Sequence, residues 1–167
     1  MSNFSIVQDD RTLKHLSNRW ELIDFQDLIE NVSSGNKKLK KSAYQESGKL
    51  PIVDQGKDLI AGYTDEDVSV GSAPPFIVFG DHTRIFKLID FNLALGADGV
   101  KLLKVKKEFE NQCSYKFLYY FFQTLGIPDT GYNRHYKYLK NVKIPFPSLD
   151  EQKAIVAKLD RAQRLID

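Results

Sequence analysis

The chain has 167 residues, 42% hydrophobic and 28% charged, enough for one ordinary globular domain with an appendage and too few for a multidomain enzyme. Lys+Arg number 24 against 22 Asp+Glu, a net charge of +2, so the total points neither to a polyanionic partner nor to an acidic tail. A single cysteine, Cys113, excludes an intramolecular disulfide and a Cys-based zinc site. With no signal peptide, and no apolar run longer than Phe117 to Phe122, the expectation is a soluble cytoplasmic protein with no membrane partner.

Residues 1–18 carry few periodic apolar positions and read as an arm or a short preliminary element. Trp20, Leu22 and Phe25 alternate with polar residues as a strand does, with Trp20 assigned to the core rather than to a stacking platform. Gln26 to Asn31 then reads as one or two helical turns, stopped by Ser33-Ser34-Gly35. Short β-like runs follow at Leu50 to Val53, Phe76 to Phe79, Arg84 to Ile89, Phe91 to Leu95 and Val100 to Val105, with Gly96 and Gly99 marking a turn. No helix of normal length is predicted between 50 and 105, which implies a curved sheet of short strands joined by loops.

Helices return near the C-terminus. Ser114 caps a predicted helix from Tyr115 to Leu125, ended by Gly126-Ile127-Pro128, and its nearly all-round aromatic content buries Phe117, Leu118, Phe121 and Phe122. Val142 to Phe146 reads as an edge strand limited by Pro145 and Pro147. Ser148 to Glu151 forms a capping box that opens an amphipathic helix running to the last residue. Its stripe of Leu149, Ile155, Val156, Leu159 and Ile166 has heptad-like spacing, and suits either a partner helix or packing back onto the domain. The expected fold class is therefore α+β: an arm over 1–18, one globular domain over 19–147, and a protruding helix over 148–167.

Charge is unevenly placed along this chain. It is +4 over residues 31–57 and +6 over 100–143, against −3 over 1–30, −5 over 58–99 and 0 from 144 onward. The first basic block holds Lys37, Lys38, Lys40 and Lys41 with Tyr44 close behind. The second ends in Tyr132, Asn133, Arg134, His135, Tyr136, Lys137, Tyr138 and Lys140. Basic residues interleaved with Tyr and Asn suit nucleic acid, because Lys and Arg hold phosphates while Asn, Arg and His hydrogen-bond base edges. A solvated charged surface with its Tyr rings packed inward is the plainer alternative.

Catalytic templates find few takers. His15, His82 and His135 are isolated in sequence, and no phosphate-binding glycine loop or nucleophile elbow occurs. Asp129, Glu151 and Lys153 match the spacing of a metal-dependent nuclease, but Asp129 follows a helix stop and Glu151 belongs to a capping box. No catalytic, metal-binding or cofactor-binding residue is assigned. An adaptor that acts only through its terminal helix is a further alternative.

The run from Ile144 to Val156, continuing to Lys158-Leu159-Asp160, resembles the segment that opens the conserved helix of specificity (S) subunits of type I restriction-modification enzymes. Trp20 to Phe25, Gly48 to Val53, Phe79 to Arg84 with Phe86-Lys87, Gly96 to Lys101 and Tyr115 to Phe122 are similar to further parts of that family, in the same order. The resemblance spans roughly residues 19 to 167 and covers only the first half of a full S subunit. It implies a target recognition domain that reads one half of a split site on double-stranded DNA. It also implies a spacer helix that pairs with another such helix and docks the methyltransferase (M) and restriction (R) subunits. Catalysis and cofactors would then belong to those partners.

Roles within this frame follow from side-chain chemistry. Lys37, Lys38, Lys40 and Lys41 are expected to contact phosphates, which position without specifying. The loop carrying His82, Thr83 and Arg84 and the stretch carrying Tyr132, Asn133, Arg134, His135 and Lys137 are expected to read bases, with Arg84 and Arg134 suited to guanine and Asn133 to adenine. Arg84 is alternatively a salt-bridged strand residue. The stripe from Leu149 to Ile166 is assigned to helix pairing and possible self-association.

Overall fold

The computed structural model describes residues 7–167, so the first six residues of the expected arm lie outside the described residues. In chain order the elements are α1 (Asp10–Arg19), β1 (Leu22–Asp24), α2 (Phe25–Leu28), β2 (Ile29–Asn31), β3 (Lys38–Leu39), β4 (Leu50–Val53), β5 (Gly62–Thr64), β6 (Phe76–Gly80) and β7 (Phe86–Ile89). There follow β8 (Ala94–Gly96), β9 (Val100–Val105), α3 (Tyr115–Gln123), α4 (Tyr136–Leu139), β10 (Lys143–Pro145) and α5 (Leu149–Ile166). This is the expected α+β class. The elements form two units interleaved in sequence: one takes Glu30–Lys104 and Thr130–Tyr136, the other the residues up to Ile29, Val105–Asp129 and Lys137–Asp167.

The first of these units is built on β6. Its five residues are all buried, so a strand whose side chains alternate between faces must be covered on both. It lies in a four-stranded sheet of order β2-β9-β6-β7, antiparallel to β7 from Phe76↔Ile89 to Phe79↔Phe86 and to β9 from Ile77↔Leu103 to Gly80↔Val100. Phe76 and Val78 enter a core with Ile89, Val100 and Leu102 of the same sheet and Val53 and Leu95 of a second sheet. That second sheet has the order β3-β8-β4-β5, with β8 parallel to both β3 and β4. Parallel neighbours need a long crossover, and the stretch from β5 through β7 supplies the one between β4 and β8.

The other unit pairs β1 with β10 through Leu22↔Pro145, Ile23↔Ile144 and Asp24↔Lys143. Its helices carry the caps that the sequence implies: Ser114 Oγ accepts from Phe117 N at 3.2 Å, and Ser148 Oγ accepts from Glu151 N at 3.3 Å. The capping box at Ser148 is one-sided, however, because Glu151 Oε1 accepts from Trp20 Nε1 at 3.0 Å. α5 also meets α3 through Asp160, which takes Lys116 Nζ at 2.8 Å and the Tyr120 hydroxyl at 2.5 Å. The hydrogen bond to Asp160 pushes the Tyr120 phenol up to about 12. Burial does the same to the Cys113 thiol.

The fully buried Gln152 joins these helix entrances. Its Nε2 donates to the carbonyls of Pro147 at 2.9 Å and Gln112 at 3.0 Å, while its Oε1 accepts from Ser114 N at 2.8 Å. One amide therefore satisfies three backbone groups beside the openings of α3 and α5, two carbonyls and one N–H.

Four expectations are corrected. Part of the supposed arm is α1, a helix set by Asp9, whose side chain accepts from Thr12 N at 2.6 Å, with Asp10 in its first turn and Arg19 in its last. The helical turns expected to Asn31 end at Leu28, and Ile29–Asn31 is strand. Arg84 does not open a strand but closes the turn before β7, at φ +62°. Phe121 is only half-buried, unlike Phe117, Leu118 and Phe122.

Replacing Gln152 with Ala strands three hydrogen-bonding groups, and the expected loss is about 2–4 kcal/mol in urea unfolding. Gln163→Ala on the exposed side of α5 is expected to cost less than about 0.5 kcal/mol in the same assay.

Candidate nucleic-acid interface

The turn between β6 and β7, residues 81–84, and the loop Thr130–Tyr136 are held together by Asp81. This residue is 2% exposed, and its carboxylate accepts from Tyr136 N at 2.7 Å, with Lys101 Nζ 3.8 Å away. Its main chain is committed as well: Asp81 N donates to Gly99 O at 2.7 Å, and Asp81 O accepts from His135 N at 2.8 Å. His135 Nδ1 lies 2.9 Å from the same carbonyl. A carbonyl can only accept, so that nitrogen carries the proton, and Nε2 is left to accept from the Thr130 hydroxyl at 3.1 Å. Behind this anchor the Tyr136 ring packs on Phe79, with centroids 6.5 Å apart.

The same hairpin holds a second loop, residues 54–58. Thr83 Oγ1 donates to Gln55 O at 2.7 Å, His82 N donates to Gln55 Oε1 at 3.0 Å, and Gln55 Nε2 donates to Asp98 O at 3.1 Å. Lys87, buried in β7, donates to the carbonyls of Asp54 at 2.8 Å and Asp58 at 2.5 Å, and burial pulls its pKa down. The packing is close enough to require Gly80, where a Cβ would lie 2.0 Å from Thr83 Oγ1.

The two basic blocks reach this framework from different sides of the sequence. Lys38 and Leu39 form β3 beside Leu95 and Gly96, and the chain then turns through Lys40 and Lys41 to Tyr44. Tyr44 donates its hydroxyl to Asp54 Oδ2 at 3.3 Å, and burial, then the Asp54 charge, push that phenol up to about 12. At the other end the His82 ring stacks on Tyr132 at 4.5 Å and 6°, and its Nδ1 donates to Asn133 O at 3.0 Å. Contacts thus run without a break from Tyr44 through Asp54, Gln55 and His82 to the loop 130–136.

Within this arrangement the expected site residues separate by exposure. Lys38, Lys40, Lys41 and Arg134 are exposed, and Tyr132 is 87% exposed. Lys37 is paired with Glu66 at 2.5 Å. The side chains of Thr83 and Tyr44 are engaged internally, and Asn133 Nδ2 donates to Thr130 O. His135 is fully buried, so it supports the loop instead of facing outward. Lys137 belongs to the other unit, on α4, with its ammonium 5.3 Å from the Tyr138 ring. Asp81, Gln55 and Lys87 are structural members that sequence reasoning did not assign, because nothing local announces their long-range partners.

In the other unit, Leu149, Ile155 and Val156 of α5 are half-buried, Leu159 is 40% exposed, and Leu165 and Ile166 are 89% and 79% exposed. Among the described residues no group of three His, Cys, Asp or Glu side chains converges as a metal-ligand set, and no helix is long and apolar enough to cross a membrane.

Comparison with known proteins gives a consistent result. A family model described as "Type I restriction modification DNA specificity domain" matches residues 18–167. The specificity subunit of the Escherichia coli type I restriction enzyme EcoR124I/EcoR124II is 27% identical over 134 residues, covering 77% of this chain and 33% of that protein. The HsdS subunit from Thermoanaerobacter tengcongensis superposes with a TM-score of 0.61 at 18% identity, over 88% of this chain and 38% of that one. The type I S subunit from M. genitalium gives 0.64 at 20% identity, over 87% and 39%. The chain therefore spans well under half the length of these relatives, and the two structures share its fold.

Asp81→Ala removes the acceptor for Tyr136 N and leaves Lys101 without its carboxylate. The expected result is a loss of about 2–4 kcal/mol in stability and faster amide exchange at Tyr136 than in the wild type. Unchanged protection at that amide would show that the loop is held by other means.

Proposed function

The chain belongs to the type I restriction modification DNA specificity domain family, and on that premise we propose that it reads one half of a bipartite double-stranded DNA site for a type I restriction-modification enzyme. The observation that carries this reading is the anchored loop 130–136: it presents Tyr132 and Arg134 to solvent while Asp81 and His135 fix its base. Fixed loops suit base readout, which depends on direction, whereas phosphate contact depends mainly on charge. Lys38, Lys40 and Lys41 take the phosphate role. Lys37 is drawn toward Glu66 and contributes less. His82, Arg84, Tyr132, Asn133 and Arg134 are the readers or their immediate supports.

On the same reading the chain is a non-catalytic part of its complex, works in the cytoplasm, and holds no cofactor of its own. Methyl transfer and cleavage fall to M and R subunits. The end of α5 is the proposed contact with another helix, and Leu165 and Ile166 are its most exposed apolar residues. Leu149, Ile155 and Val156, being half-buried, contribute more to the unit that holds α5 than to a partner. Self-association through this helix is part of the proposal.

The test is binding of fluorescent duplexes by the chain with a matching M subunit, measured across a salt series. A Lys38, Lys40 and Lys41 triple alanine variant is expected to weaken binding to every duplex alike and to reduce the slope of log K against log salt by about 2 to 3. Absence of any sequence preference at every salt concentration would sink the proposal.

A further inference from the structure

Resting on the reading of loop 130–136 as a DNA-reading element, we propose that the base it reads is guanine, taken by Arg134, and that its neighbour Asn133 does not read adenine. The sequence leaves both contacts open, and the hydrogen bonds of the loop separate them.

An Asn side chain specifies adenine by presenting Oδ1 and Nδ2 together to the N6 and N7 edge. Here the exposed Asn133 amide is already engaged within its own loop, with Nδ2 donating to Thr130 O. Its main chain is equally committed, N to Gly131 O at 2.8 Å and O to His82 Nδ1 at 3.0 Å. Asn133 is a loop-forming residue. On the far side His135 is fully buried, its N and Nδ1 both directed at Asp81 O.

Arg134 lies between these two fixed residues. It is exposed, and no hydrogen bond or ion pair engages it among the described residues. Its guanidinium therefore keeps the two parallel N–H groups that match guanine O6 and N7. The backbone on either side is already ordered, so little conformational freedom is lost when the contact forms. Tyr132, two positions earlier, is held by stacking on His82. A phosphate contact would gain little from so constrained a setting, and the lysines after β3 meet that need without it.

The experiment selects preferred half-sites from randomised duplexes, using the full chain alone and with a matching M subunit, and then replaces each selected guanine in turn by 7-deazaguanine, which lacks the N7 acceptor. One guanine is expected whose replacement weakens wild-type binding about 5- to 150-fold. With Arg134→Ala, the preference at that position alone should vanish and 7-deazaguanine should have no further effect. Arg134→Lys keeps the charge but not the planar fork, and is expected to recover general affinity without full base preference. Asn133→Asp retains no amide donor and should leave every adenine preference in place. A uniform loss of affinity in Arg134→Ala with all preferences intact would make Arg134 a phosphate contact and overturn the inference. Loss of an adenine preference in Asn133→Asp would overturn it from the other side. If the wild type selects no sequence at all, the DNA-reading function itself fails, an outcome distinct from either.

Discussion

The exposed surface of the sheet-built unit depends on burying one carboxylate. An ionised group out of water is costly unless hydrogen bonds and a counter-charge replace its hydration. Asp81 obtains these from Tyr136 N and from Lys101, and its own carbonyl takes both the amide and the ring of His135. The pairing is reciprocal. Without the loop Asp81 would lack its amide donor, and without Asp81 the loop would have lost its main attachment to the β6–β7 hairpin. Lys87 follows the same logic with the opposite charge, since its buried ammonium is tolerable because the carbonyls of Asp54 and Asp58 meet it. Two buried charges on one hairpin thus order the two loops that flank it.

Much of the fold is legible from pattern. β4 and β9 fall on the expected runs, β6 differs only by Gly80, and the helices open at Ser114 and Ser148 as their side-chain oxygens require. The structure departs from the pattern where the pattern is weak. β3 and β5 span two and three residues, too few for alternation to register, and their existence depends on partners elsewhere in the chain. α1 has few apolar positions and is fixed by its cap and end charges, so a search for an apolar stripe passes over it. The Glu151 carboxylate satisfied the capping-box pattern in sequence, yet the Trp20 indole, 131 positions earlier, claims it.

The site was legible as chemistry but not as geometry. Composition gathers basic and aromatic residues into two blocks, yet Arg134 and His135, adjacent in sequence, differ completely in exposure. Only the contact with Asp81, 54 positions away, decides which of the two faces solvent. Gln55 shows the limit most plainly: an ordinary polar residue after β4, it bonds to His82, Thr83 and Asp98 and has no local signal at all. The net charge of +2 is similarly unhelpful, since it averages over blocks that fold into different units.

The attachment of loop 130–136 is largely main-chain in character, because the amides of His135 and Tyr136 both donate to Asp81, beside one contact from the His135 ring. Amides are common to all residues except proline, so the identities of the outward residues are decoupled from what secures the segment. Tyr132 and Arg134 can be exchanged for other side chains while the ends of the segment stay in place. The loop is in this sense an interchangeable cassette: its tip can vary, in a lineage or at an engineer's bench, without rebuilding the sheets beneath.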